Sequence, residues 1–107
     1  MDGGLDIALV QLRTPATADA GLAHVEPLIR QAASEGARLI LTPEGTNLLE
    51  QRRDRRSAAL SSEGEDAAVI GLRRLAAELG VWLLIGSAIV RSDRQGDDRA
   101  ANRSLLI

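Results

Sequence analysis

The chain has 107 residues, enough for one small domain, and a formal net charge of −2, which argues against nucleic acid as a partner because phosphate binding requires a net basic face. It has no cysteine, and all 13 positions counted as Lys or Arg are arginine, so disulfides, thiolate metal sites and side-chain amine chemistry are excluded within these residues. Hydrophobic residues make up 45% of the sequence but aromatic ones only 1%, in the form of Trp82, so the core must be assembled from many small aliphatic side chains, each contributing about 1.5–3 kcal/mol when buried.

The start, Met1-Asp2-Gly3-Gly4-Leu5-Asp6, is acidic where a signal peptide would be basic. Ile7 to Leu12 reads as a strand. Its run Ile-Ala-Leu-Val is continuously apolar, which predicts burial on both faces, as in a parallel sheet covered by helices. Thr14-Pro15 ends it. Ala18 to Glu35 reads as a helix with Leu22, Val25, Ile29 and Ala33 on one face. Thr17 or Asp19 is placed to cap it and Gly36 to stop it. Pro27 conflicts with that reading, since an interior proline costs about 3 kcal/mol. A kink there, or a firm helix starting only near Pro27, is expected.

Arg38 to Thr42 is a second short apolar strand. The first third is thus strand–helix–strand, a unit that normally sets its strands parallel. Asn47 to Ser62 carries Arg52-Arg53-Asp54-Arg55-Arg56 and reads as a surface loop with some helix. Glu63 to Leu79 is the clearest helix, with an apolar stripe at Val69, Leu72, Leu75 or Ala76, and Leu79. Ser62 and Glu65 resemble a capping box, and Gly80 is a good stop. Val81 to Val90 is then a strand. Ser92 to Ala101 is a polar turn region, and Arg103 to Ile107 looks like the next strand. The longest mostly apolar stretch, Leu79 to Val90, is too short to span a bilayer. The order of elements gives an α/β class and a single unit over residues 1–107. No membrane is expected as a partner, and a cytoplasmic location is the default.

Glu44 stands just past the strand Leu39-Ile40-Leu41-Thr42, after Pro43 and before Gly45. Function in open α/β sheets gathers at the carboxyl ends of the strands. A carboxylate fixed there and partly shielded from water can act as a general base. From these residues alone, a solvated turn glutamate is the plainer reading. The Arg52–Arg56 cluster has the charge to hold a phosphate or an acidic substrate, but Glu50 and Asp54 interleave with it, and a solvated charged face accounts for it better. His24 is the single histidine and is assigned to the surface, since one histidine cannot build a metal site. Ser87 lacks the glycine spacing of a nucleophile elbow. Asn102, between loop and strand, is explained as well by turn chemistry as by function. No G-x-G-x-x-G follows the first strand, and a phosphate loop of the G-x-x-x-x-G-K type needs a lysine.

Several segments together resemble the nitrilase superfamily of carbon–nitrogen hydrolases. Ile7-Ala8-Leu9-Val10-Gln11-Leu12 is similar to its first strand, and Gln31-Ala32-Ala33-Ser34-Glu35-Gly36-Ala37 to the end of its first helix. Leu39-Ile40-Leu41-Thr42-Pro43-Glu44 is similar to its second strand and the Pro-Glu that carries the catalytic glutamate. Leu84-Ile85-Gly86-Ser87 and Asn102 are similar to the later strand and the Asn that opens the next one.

The resemblance implies an α-β-β-α sandwich, commonly assembled into homo-oligomers. It implies hydrolysis of a small amide or nitrile by Glu, Lys and Cys, through a thioester and without cofactor or metal. Glu44 would be the general base and acid. The lysine and cysteine of that mechanism have no counterpart here, so the resemblance covers a partial domain, the first third to half of the family's, which continues beyond residue 107 in the family. The region Thr42-Pro43-Glu44-Gly45-Thr46-Asn47 looks more like amidases than true nitrilases. A non-catalytic α/β module for binding or assembly is the alternative.

Overall fold

The aliphatic runs become neighbouring strands because each is too short and too β-branched or leucine-rich to stand alone in water, and pairing satisfies its backbone. A computed structural model describes residues 3–107 of the chain; the acidic start at Met1 and Asp2 lies outside the described residues. In chain order the elements are β1 Ile7–Leu9, α1 Ala18–Ser34, β2 Leu39–Thr42, α2 Arg53–Ala59, α3 Ala67–Leu79, β3 Trp82–Arg91 and β4 Ala100–Leu106. The sheet has the order β1-β2-β3-β4. β1, β2 and β3 run parallel, and β4 returns antiparallel to β3. The predicted α/β class and the parallel strand–helix–strand start are both present.

α1 begins where expected: the Thr17 side chain accepts a hydrogen bond from the Ala20 amide. It then runs through Pro27 as one helix of 17 residues, so neither the kink nor the late start is needed to describe it. The cost of the proline is offset by the face on which the helix packs. Gly21, Val25 and Ile29, four residues apart, are all buried, and α1 lies against α3 and β2.

α3 is shorter at its start than the sequence suggested. Its cap is Asp66, whose side chain accepts from the Val69 amide at 2.9 Å. Ser62 and Glu65 do meet, at 3.1 Å, but in the turn before the helix. The stripe is as read: Val69, Leu72, Leu75 and Ala76 are buried, and Gly80 closes the helix in the left-handed conformation.

Both long helices cover the same face of the sheet. The core lies between them and the inward residues Ile40, Leu83, Ile85, Ala88 and Val90. The opposite face is uncovered. There Ile7, Leu39 and Trp82 align across three strands, and Leu9, Leu41, Leu84 and Leu106 across four. Leu9 is 77% exposed and Trp82 60%. The expectation that the first strands are buried on both faces is therefore corrected: the aliphatic run signals cover on both sides, and these residues supply one side only. This is one α layer and one β layer of a sandwich. No helix among the described residues is long and apolar enough to cross a membrane.

The stretch read as surface from Asn47 onward also needs correction. α2 is surface helix, but Thr46, Asn47 and Leu48 are fully or almost fully buried. Leu48 is apolar material for the core. The two polar residues are buried because their hydrogen bonds are made, as the site shows.

Candidate active site

β2 ends at Thr42, and Pro43 cannot donate to a ladder, so the chain leaves the sheet there and turns at Glu44. Gly45, at φ 64°, supplies the left-handed turn that residues with a Cβ rarely adopt. The buried segment after it is tied down at every step. The Thr46 hydroxyl is within 2.8 Å of Thr42 Oγ1 and donates to the Pro43 carbonyl at 2.6 Å. The Gly45 amide donates to Ser87 Oγ at 2.8 Å, and the Thr46 amide to the Ser87 carbonyl at 2.9 Å.

Asn47 continues the sheet with its side chain. Its Oδ1 accepts from the Ile89 amide at 2.8 Å, and its Nδ2 donates to the Ile89 carbonyl at 2.7 Å. One amide group thus stands in for a peptide unit of β2 that has already left the sheet. Nδ2 also donates to Asp66 Oδ2 at 2.8 Å, and Asp66 in turn caps α3. On the other side, α1 presses close: a Cβ on Gly21 would sit 1.9 Å from the Asn47 carbonyl oxygen. Glu44 therefore projects from a turn that two helices and β3 hold in place.

β3 answers this turn with a bulge. Its register with β4 shifts by one residue between Ile85 and Ala88, and Ser87 and Ala88 are buried in succession. Bulges of this kind re-aim a side chain next to functional sites. Gly86 lies beneath the exit of β2, where a Cβ would come 2.5 Å from the Thr42 carbonyl oxygen and 2.7 Å from the Pro43 carbonyl carbon. Gly86→Ala is accordingly expected to push the β2 exit outward and cost about 1–3 kcal/mol of stability, read as a lower urea midpoint. An unchanged midpoint would show that the turn is looser than its contacts imply.

The Glu44 side chain itself is exposed. It is solvated, as its sequence position alone suggests, because it stands at the edge of the uncovered sheet face. Asn102 on β4 reaches it, with Nδ2 donating to Glu44 Oε1 at 3.5 Å. Of the other candidates, Ser87 is no nucleophile here; its hydroxyl holds the Gly45 amide. His24 is half-buried on α1 and accepts from the Arg13 amide at 3.1 Å. Of the arginine cluster, Arg52 lies 3.8 Å from Asp54 and Arg55 and Arg56 are exposed; the Arg53 side chain lies outside the described residues. The structural roles of Asn47 and Asp66 are not among the sequence expectations. The signal for Asp66 was present, as an Asp directly before an apolar helical stripe. Nothing local marks Asn47.

The model of the carbon-nitrogen hydrolase family matches residues 6–107. The chain belongs to the carbon-nitrogen hydrolase family. The chain is also similar in fold to Nit3 of Saccharomyces cerevisiae, a member of branch 10 of the nitrilase superfamily, with a TM-score of 0.74 and 23% identity over 95% of this chain and 39% of that one. The NitN amidase of Nesterenkonia sp. AN1 matches with a TM-score of 0.73 and 27% identity, over 96% of this chain and 39% of the amidase. A double mutant of the Nesterenkonia amidase in complex with acrylamide matches with a TM-score of 0.66 and 28% identity, over 99% of this chain and 40% of that one. The chain thus spans 39% to 40% of the length of these three solved structures. No curated protein matches it by sequence. The single bare face of the sheet agrees with that share, since a nitrilase-type sandwich has a second sheet to lay upon it.

Proposed function

We propose that this chain supplies the acid–base glutamate of an amidase-type hydrolase acting on carbon–nitrogen bonds other than peptide bonds. The observation that carries the reading is Glu44 on a turn clamped at the carboxyl end of β2, within a chain of this family. The relative in complex with acrylamide points to small amides as the substrate class. The thiolate and the ammonium of the mechanism come from outside these 107 residues, which contain neither Cys nor Lys. A partial domain over 1–107 and a homo-oligomeric whole belong to the same reading.

The steps follow from the groups. Glu44 takes the thiol proton as sulfur attacks the amide carbon, and the ammonium stabilises the negative charge that develops on oxygen. The carbon–nitrogen bond breaks, the nitrogen leaves with the proton from Glu44, and a thioester remains. Glu44 then takes a proton from water as it attacks the thioester, and returns it to the departing sulfur. Acid and base are one residue, so its turn must be rigid while its carboxylate stays reachable.

The test is ammonia release from acrylamide. The complete natural polypeptide is expected to release it, and residues 1–107 alone are not. Turnover by residues 1–107 alone at the rate of the complete polypeptide would remove the thiolate from the mechanism and the proposal with it.

A further inference from the structure

The bare face of the sheet is apolar along β1, β2 and the first half of β3. On β4 its outward residues alternate as Asn102, Ser104 and Leu106, so polar groups gather at the end of the face where Glu44 stands. Each has a visible use. The Ser104 hydroxyl donates to the Gly86 carbonyl at 2.7 Å, which ties β4 to the bulge. Asn102 spans β3 to reach the Glu44 carboxylate. Strand β4 pairs Asn102 with Ile89, and Ile89 is the residue whose backbone Asn47 grips. The residue of β3 that pairs with Asn102 is thus also the one that anchors the chain just after the Glu44 turn.

We propose that Asn102 is a positioning residue for Glu44: its side-chain amide holds Oε1 and leaves Oε2 directed at the proton to be moved. The inference rests on the reading of Glu44 as the acid–base group. An amide suits the task because it donates a hydrogen bond without bringing charge. A carboxylate at 102 would repel Glu44, and a hydroxyl on the same Cα would fall short. The contact is long and accessible, as such contacts are before substrate closes the site.

The experiment is a double-mutant cycle in the complete natural polypeptide, with kcat and KM for acrylamide measured for wild type, Asn102→Ala, Glu44→Gln and the double variant. Asn102→Ala is expected to lower kcat about 10- to 100-fold, the range that misplacement of a reacting group produces, with KM changed less than about twofold. In the Glu44→Gln background the same change is expected to have almost no effect, because residues acting as a unit are non-additive. Equal fold losses in both backgrounds would overturn the inference and leave Glu44 standing. Full activity of Glu44→Gln would instead overturn the reading of Glu44 itself. If Asn102→Ala lowers the urea midpoint, Asn102→Thr, a strand former too short to reach Glu44, takes its place in the cycle with the same expected outcomes.

Discussion

Glu44→Gln in the complete natural polypeptide is expected to lower kcat for amide hydrolysis about 10²- to 10⁴-fold, the range that general acid–base catalysis supplies. Gln has the same shape and still accepts a hydrogen bond from Asn102, but it cannot take and return a proton at this acidity. Both halves of the proposed cycle need that proton transfer, so thioester formation and thioester hydrolysis fail together. Stability should stay within about 0.5 kcal/mol, since Glu44 is exposed and no fold contact is lost. The pair of measurements is ammonia release and the urea midpoint. A variant that keeps its midpoint and retains more than a third of its activity would rule Glu44 out as the acid–base group.

The second large effect falls on the fold. Asn47→Leu keeps the number and branching of the side-chain heavy atoms but removes three hydrogen bonds at once. The Ile89 amide, the Ile89 carbonyl and one oxygen of Asp66 lose their partner. A buried polar group left unpaired costs about 1–3 kcal/mol; the two Ile89 groups are only part-buried, so about 3–5 kcal/mol in total is expected. That is a large share of a domain's stability. The check is a urea titration with hydrogen exchange at the Ile89 amide, which should lose its protection. Asp66→Asn is the milder companion: its single remaining oxygen can accept from the Val69 amide or from Asn47 Nδ2 but not from both as the two Asp66 oxygens do, so it loses one bond where Asn47→Leu loses three and should cost less. A loss below about 1 kcal/mol for Asn47→Leu, with the Ile89 amide still protected, would mean that water or the main chain takes over the bonds.

The contrast between these two residues shows where the sequence was legible. Glu44 is marked locally, by an aliphatic strand before it and a Pro and a Gly around it. Helices α1 and α3 are marked by stripes such as Val69, Leu72, Leu75 and Ala76. Asn47 makes its bonds to residues 19 and 42 positions away, and its own neighbourhood looks like the start of a charged loop. Burial of a polar side chain depends on partners that arrive from elsewhere in the chain, and no periodicity reports them. The bulge is half legible. A glycine inside an apolar strand hints at a close approach, and Gly86 meets one, but the one-residue register shift belongs to the pairing with β4. The bare sheet face is illegible for a different reason. Aliphatic runs such as Ile7 to Val10 record that the strand is to be covered, and they do not record which residues do the covering.

The bulge separates two requirements that most positions combine. Leu83, Ile85, Ala88 and Val90 face the core, and they would fall on alternate positions if Ser87 were simply absent. By the pattern of inward residues, then, Ser87 is surplus to the strand. Its place in the chain is accounted for by the hydroxyl it gives to the Gly45 amide and the carbonyl it gives to Thr46. A chain without it would still have a continuous hydrophobic face for its helices, and what it would lose is the two bonds from Gly45 and Thr46 that fasten the Glu44 turn to β3. In this sense the molecule carries an inserted part, one residue long, that serves the glutamate and not the sheet.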